Sequence, residues 1–396
     1  MTLERDLVLA LDAAVDAHGD ELDALACDLH AHPELRFEEH HAAAAIALLL
    51  ERHGHTVEKP LGGMATACRA RAGAGAGPKI AILAEYDALP EIGHACGHNL
   101  IAAGAVGAFL AAAQVVARVG GSVELLGTPA EEGGGGKIKL IDAGAFKHLD
   151  AAIMFHPFDR DVLVHPTLAS TWLRFDFKGT PSHAAIAPHE GKSALTACMD
   201  TFRLVDGQRV HFRDGVRVHG YILDGGQAVN IIPETASCEI SVRAGDSVEL
   251  ERVKAIVTRC ARAAAMASDV PMELNERRGY AELVNNEALA SVFGEHLARL
   301  GRDARFRDPT VGAGSTDMGD VSHVVPAIHP WLAICDEHTT TCHQRPFAEA
   351  AASPRGLSAA RVAAKCLAAT ALEFLSSQEI RASVRAEFER APRRGV

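Results

Sequence analysis

Apolar residues recur at helical spacing through the first 60 positions. Leu22, Leu25 and Leu29 share one stripe, and Ala42, Ile46 and Leu49 share another. After the turn-rich stretch Gly73–Pro78 the period shortens. Lys79–Ala84, Ser122–Leu126 and Ala151–Phe155 are short apolar runs that predict strands. A small-residue helix, Asn99–Ala117, is predicted between the first two. Strands alternating with helices predict a mostly parallel sheet with helices on both faces.

From about Leu168 the pattern changes again. Trp172–Lys178 alternates apolar and polar residues, as a strand with one wet face does. A helix (Lys192–Val205), two strands (Val216–Leu223 and Ala236–Val242), a second helix (Val248–Ala267) and a strand (Met272–Glu276) follow. That order is the split β-α-β-β-α-β pattern of ferredoxin-like domains. It predicts an α+β domain inserted at 168–282 into an α/β domain made of 1–167 and 283–396. The outer domain resumes with a helix at Glu287–Leu300, a strand at Trp331–Ile334 and a closing helix at Leu357–Leu375.

Composition narrows the function classes. Hydrophobic residues make up 48% of the 396 positions and charged residues 23%, enough for a sizeable core. The net charge of −12 runs against a nucleic-acid partner, which would require a basic footprint. The richest apolar stretch, Leu100–Val119, is Gly/Ala-rich and reads as too weakly apolar for a membrane span. The start of the chain has acids inside its apolar pattern and no signal-peptide features, so a cytoplasmic protein is expected. Nine scattered cysteines then read as reduced thiols. The 21 histidines point weakly to metal chemistry.

Four segments that follow predicted strands bring in ligand-type side chains. They are Glu85–Asn99, Pro129–Lys137, Phe155–Pro157 and Thr341–Gln344. Sites in open α/β sheets form beyond the carboxyl ends of strands, where these segments fall. Cys96 and His98 flank one glycine, and Asn99 is placed to cap the helix that follows. Taken alone they could equally be a buried thiol and a surface imidazole. Glu131 and Glu132 form a carboxylate pair before a glycine run. One could bind a metal while the other serves as a base, or both could be solvated. The run ending at Lys137 is not a phosphate loop, because Ile138 stands where Ser or Thr is required. Cys96, His98, Glu132, His156 and His343 together offer S, N and O donors suited to zinc, with manganese possible. Five donors are too many for one tetrahedral ion and suit two ions sharing a bridge.

These residues resemble the dinuclear-metal aminoacylase/glutamate-carboxypeptidase superfamily. The likeness is to its Cys-containing amidohydrolase branch, on the side of the aminobenzoyl-glutamate hydrolases and β-alanyl-lysine dipeptidases. It runs over nearly the whole chain. It rests on LHAHPEL (29–35), HACGHN (94–99), PAEEGGGGK (129–137), GTPSHAA (179–185), VNIIP (229–233), GSTDMG (314–319) and SHVVP (322–326). Many relatives have Asp where Asn99 stands and His at the position of Ile101. That departure weakens a plant-hormone-conjugate reading and leaves the ligand set untouched.

The resemblance implies two divalent ions, Zn or Mn, held by Cys96, His98, Glu132, His156 and His343, with Cys96 as the bridge. It implies that Glu131 is the general base and acid for water attack on an amide bond of a small N-acyl or aminoacyl amino acid. It further implies a homodimer in which the inserted domain serves as lid and interface. His183 would polarise the scissile carbonyl across that interface, and Asn230 and Arg243 would contact substrate. Two rival readings stand beside this one. The first is a metal-binding homologue without catalysis; the second is an amidase with Cys96 as nucleophile beside His94 or His98. A serine hydrolase is disfavoured, because no G-x-S-x-G elbow occurs.

Overall fold

The computed structural model of the protein describes residues 3–310 and 312–391. The chain divides into two compact units, one of residues 1–165 with 283–396 and one of Pro166–Glu282.

The first unit opens with three helices, α1 (Arg5–Ala17), α2 (Gly19–Ala31) and α3 (His40–Arg52). It continues through β1 (Val57–Glu58), β2 (Cys68–Gly73), β3 (Lys79–Ala84), α4 (His98–Val115), β4 (Ser122–Gly127), α5 (Gly136–Asp142), β5 (Ala151–Ile153) and β6 (His156–Phe158). The second unit comprises β7 (Ala169–Lys178), α6 (Ala194–Gln208), β8 (Arg217–Asp224), β9 (Thr235–Ala244), α7 (Ser247–Ala267) and β10 (Met272–Arg278). The first unit then resumes with α8 (Glu287–Arg299), α9 (Met318–Val324), β11 (Ala327–Ile328), β12 (Trp331–Ala333), α10 (Arg345–Ala350), α11 (Pro354–Ser376) and α12 (Gln378–Arg390).

The main sheet of the first unit runs β1-β2-β4-β3-β5-β11. Its β4, β3, β5 and β11 are parallel, and β2 joins antiparallel. The uninterrupted KIAILA run of β3 is explained by burial on both faces. Ile80 and Ile82 enter the cluster that includes Leu100, Phe109 and Leu372. Ala81 and Leu83, pointing the other way, pack with Leu140, Phe146, Met318 and Val321. Helix α4 lies against α1, α2 and α11.

The structure departs from the expected pattern in three places. First, His98–Arg118 has a mean hydropathy of 2.1 and is long and apolar enough to cross a membrane by those measures. It is nevertheless 83% buried within the protein, as a core helix of small residues is. Second, the run from Ala151 does not end at His156. The strand stops at Ile153, and His156 begins β6, which pairs in parallel with β12 as a separate two-stranded sheet. The strand at Trp331 therefore lies outside the main sheet, whose edge is β11. Third, Gly97 in the left-handed region, not Asn99, stands at the N-cap of α4. Asn99 is buried and donates to the carbonyls of Ala26 and Ala351.

The second unit is a four-stranded antiparallel sheet in the order β10-β7-β9-β8, with α6 and α7 packed on it. This is the ferredoxin-like arrangement that the alternation predicted. Leu173, Phe175 and Phe177 of β7 face the helices, while Arg174 and Lys178 are exposed.

Gly104 sets how closely α4 can pack. A Cβ there would come within 2.6 Å of Phe155 Cε1 and 3.2 Å of the Ala360 carbonyl. Gly104→Ala gains about 1 kcal/mol of helix propensity, but overpacking a closed core costs about 1–3 kcal/mol. Net destabilisation is therefore expected in denaturant melts. A more stable variant would show that Phe155 yields freely.

Candidate metal centre

The loop after β3 places Glu85 and Asp87, both buried, and returns through Cys96 to His98 at the first turn of α4. The turn is tight. A Cβ on Gly97 would lie 2.8 Å from the Pro157 ring, and its φ of 79° suits glycine. Asp87 organises two neighbours. His98 Nδ1 donates to its carboxylate at 3.1 Å and to its carbonyl at 2.9 Å, and the Glu132 amide donates to its other oxygen at 2.9 Å. Burial opposes ionisation of both Asp87 and His98, yet their mutual attraction outweighs it, lowering the carboxyl pKa and raising that of the imidazole. His98 Nε2 is thereby turned the other way. It is buried and has no hydrogen-bond partner, as a nitrogen reserved for a metal would be.

The loop after β4 carries Glu131 and Glu132. Glu39, from before α3, holds it by accepting from the Ala130 amide at 2.9 Å and from its own neighbour Phe37 at 2.8 Å. Lys137 anchors the far end. It is fully buried, ion-paired to Glu85, and 2.6 Å from Asp317 Oδ1. The glycines between serve close approach and not phosphate binding, since a Cβ on Gly136 would strike the Pro129 carbonyl. Burial, with Glu132 and Glu85 alongside, pushes the Glu131 carboxyl well above the usual carboxylate range. In Glu132 burial is outweighed by the His343 hydrogen bond and the charge on His98, and its pKa falls.

His156 Nδ1 donates to the Pro157 carbonyl at 2.6 Å, which leaves Nε2 3.3 Å from Cys96 Sγ. Burial, and then the charge of His98, lowers the His156 pKa to about 4. His343 comes from the loop after β12 and is held in the left-handed region at φ 68°. Its amide donates to the Ala95 carbonyl at 2.8 Å, and Nε2 lies 3.1 Å from Glu132 Oε1.

Two groups of three donors meet at this centre, each with all ligand atoms within 4.8 Å of one another. One is Cys96, His98 and Glu132; the other is Cys96, His156 and Cys342. Cys96 belongs to both. The five residues proposed as ligands from the sequence thus converge in the first unit, with Glu131 next to Glu132. The mix of S, N and O donors, two groups of them centred on one thiol, fits a pair of divalent ions. Sequence reading overlooked Cys342, although it directly precedes His343. It also overlooked Asp87, Glu39 and the Lys137 ion pairs, whose partners are far away in the chain. The imidazole beside Cys96 is that of His156, whereas buried His94 stacks near His30 at 6.2 Å. The neighbouring Cys342 and then burial push the Cys96 thiol upward, away from the depressed range of nucleophilic cysteines.

The other three candidates belong to the second unit. His183 is exposed, and its Nδ1 accepts from the amides of Ala185 and Ile186 at 3.2 and 3.3 Å. Exposed Asn230 lies alongside, its carbonyl accepting from Ala184 at 3.0 Å. Arg243 is on β9, in register with Ser170 and Arg217, and its Nε is buried without a partner.

A model of peptidase family M20/M25/M40 matches residues 81–372. The Xaa-Arg dipeptidase of Mus musculus is 36% identical over 391 residues, covering 95% of this chain and 90% of that protein. One subunit of the p-aminobenzoyl-glutamate hydrolase of Escherichia coli K12 is 31% identical over 74% of this chain and 65% of its own. Among solved structures, a Bacillus subtilis dinuclear metal-binding peptidase of the M20 family shares the fold. Its TM-score is 0.72 at 22% identity, over 91% of this chain and 99% of that one.

Burial raises the Glu39 pKa from 4.5 to about 7. The folded protein therefore holds this proton more tightly than the unfolded chain. The associated stability is full below pH 4.5 and is lost as pH rises through about 7. Glu39→Gln keeps an acceptor for Ala130 and removes the titration. Its stability relative to the parent should improve from pH 5 to pH 8 by up to about 3 kcal/mol. A difference in denaturant midpoints that stays constant between those pH values would contradict the assignment.

Proposed function

The chain belongs to peptidase family M20/M25/M40 and is a metal-dependent amidohydrolase of the dipeptidase type, and from that premise we propose that it removes a C-terminal basic residue from small dipeptides at the centre built on Cys96. The observation that carries this reading is the shared thiol. Two donor groups meet at Cys96, with a buried carboxylate, Glu131, adjoining the ligand Glu132. The preference for a basic leaving residue draws on the 36% identical Xaa-Arg dipeptidase.

Cys96, His98, Glu132, His156 and His343 would hold two divalent ions, and the thiol and imidazoles would favour zinc over manganese. When bound, the ions supply Lewis acidity that polarises the scissile carbonyl and acidifies water. Glu131 does the proton work. Its buried carboxylate takes a proton from the attacking water and, as the carboxylic acid, returns it to the leaving amine. Asp87 and Pro157 keep His98 and His156 in the tautomers that present Nε2. His183 polarises the carbonyl from the partner subunit of a homodimer, and Asn230 and Arg243 receive the substrate, the guanidinium facing its free carboxylate. Nine unpaired thiols are in keeping with a cytoplasmic setting.

A turnover panel on zinc-loaded protein tests the substrate. Dipeptides ending in Arg or Lys, including β-alanyl-lysine, should exceed aminobenzoyl-glutamate and N-acetyl amino acids in kcat/KM. Preference for aminobenzoyl-glutamate would favour the hydrolase of that name as the better guide.

Glu131→Gln should bind metal normally and lose roughly 10²–10⁴ in kcat. Mixed with a His183→Ala protein under subunit exchange, it should recover activity, since each heterodimer keeps one intact pair. No recovery after proven exchange would rule out the shared site.

A further inference from the structure

The donors around Cys96 are unevenly divided. His98 and Glu132 group with Cys96 on one side, and His343 Nε2 adjoins Glu132 at 3.1 Å. That side has four protein donors. On the other, only His156 of the five predicted ligands joins Cys96. A catalytic zinc usually takes three protein ligands and keeps one position open.

Cys342 makes up the difference. Its ligand atom lies within 4.8 Å of both Cys96 Sγ and His156 Nε2. It is half-buried, and its thiol lies against that of Cys96 and makes a long contact to the Pro157 carbonyl, at 3.9 Å. The loop that delivers it is pinned on its far side by the His343 amide bonding to Ala95. The adjacent backbone is left-handed at His343, so successive side chains of this loop serve opposite sides of the centre. His343 goes to Glu132, and Cys342 goes to His156 and Cys96.

We propose that Cys342 is a metal ligand, completing a Cys96/His156/Cys342 site for one ion and making this half of the centre a two-thiolate site selective for zinc over manganese. The inference rests on the assignment of Cys96 as a shared ligand. On binding, the Cys342 S–H bond gives its proton to solvent and the thiolate lone pair forms the bond to the ion; no oxidation is involved. Thiolate donors select soft and borderline ions, whereas manganese prefers oxygen.

Cobalt(II) is the probe. Protein reconstituted with two cobalt ions should show sulfur-to-cobalt charge-transfer absorption in the near ultraviolet. With Cys96 bridging and Cys342 terminal there are three sulfur–cobalt bonds. Cys342→Ser leaves two, so about one third of that intensity should disappear. Zinc affinity, read by chelator competition, should fall at least about 10-fold, the effect that even an outer-shell partner carries. Manganese affinity should change much less.

An unchanged band with unchanged zinc affinity in Cys342→Ser would overturn the proposal while leaving Cys96 as the bridge. Absence of any such band in the parent would overturn both. X-ray absorption on the unmodified zinc protein gives a reading that does not depend on how the variant folds. Three sulfur bonds shared by two ions support the assignment, and two refute it.

Discussion

A lysine ammonium sealed from water is the constraint on which the centre depends. Lys137 is fully buried, and its charge is tolerable only because Glu85 and Asp317 face it inside the protein. Desolvating these groups costs several kcal/mol per ion, recovered only with close geometry and further hydrogen bonds. Asp317 provides both, since its second oxygen also accepts from the Lys137 amide at 3.0 Å. The three residues come from the loop after β3, the start of α5 and the entry to α9. Their pairing therefore holds together three segments that the sheet alone would leave free. Glu131 and Glu132 sit on the strap between β4 and Lys137, and their placement follows from it.

Asp87 applies the same logic nearer the donor groups. One carboxylate fixes the tautomer of His98 and the backbone position of Glu132. The two donors grouped with Cys96 on that side thus share a single support. On the other side, His156 is oriented by a backbone carbonyl, whose strength does not vary with protonation of a side chain. The centre is asymmetric in its supports as well as in its donors.

Much of this was legible in the chain. Period-two alternation in Trp172–Lys178 and helical spacing in 22–49 report which face meets a core, and that information is local. The ligand types after strand ends were visible because binding sites collect there. Less legible were features with weak or distant signals. The β1 and β11 strands are two residues long, too short for periodicity to register. Asn99 looked like a helix cap because polar residues at helix starts usually are, but it lies within α4, and its side-chain amide donates to the carbonyls of Ala26 and Ala351. Cys342 resembles any half-buried thiol until Cys96 and His156 are brought beside it.

By itself, the sequence determined the element types, the split of the chain around an inserted α+β unit, and the identity of Cys96, His98, Glu131, Glu132, His156 and His343 as candidates. These follow from patterns within a few residues of one another. Only the tertiary structure decided that Cys96 belongs to two donor groups, that Cys342 enters one of them, and that Lys137 serves buried carboxylates and no phosphate. Those outcomes depend on atoms from segments tens to hundreds of residues apart being brought within a few ångströms. Packing and desolvation set such distances, and neither is encoded at any one position.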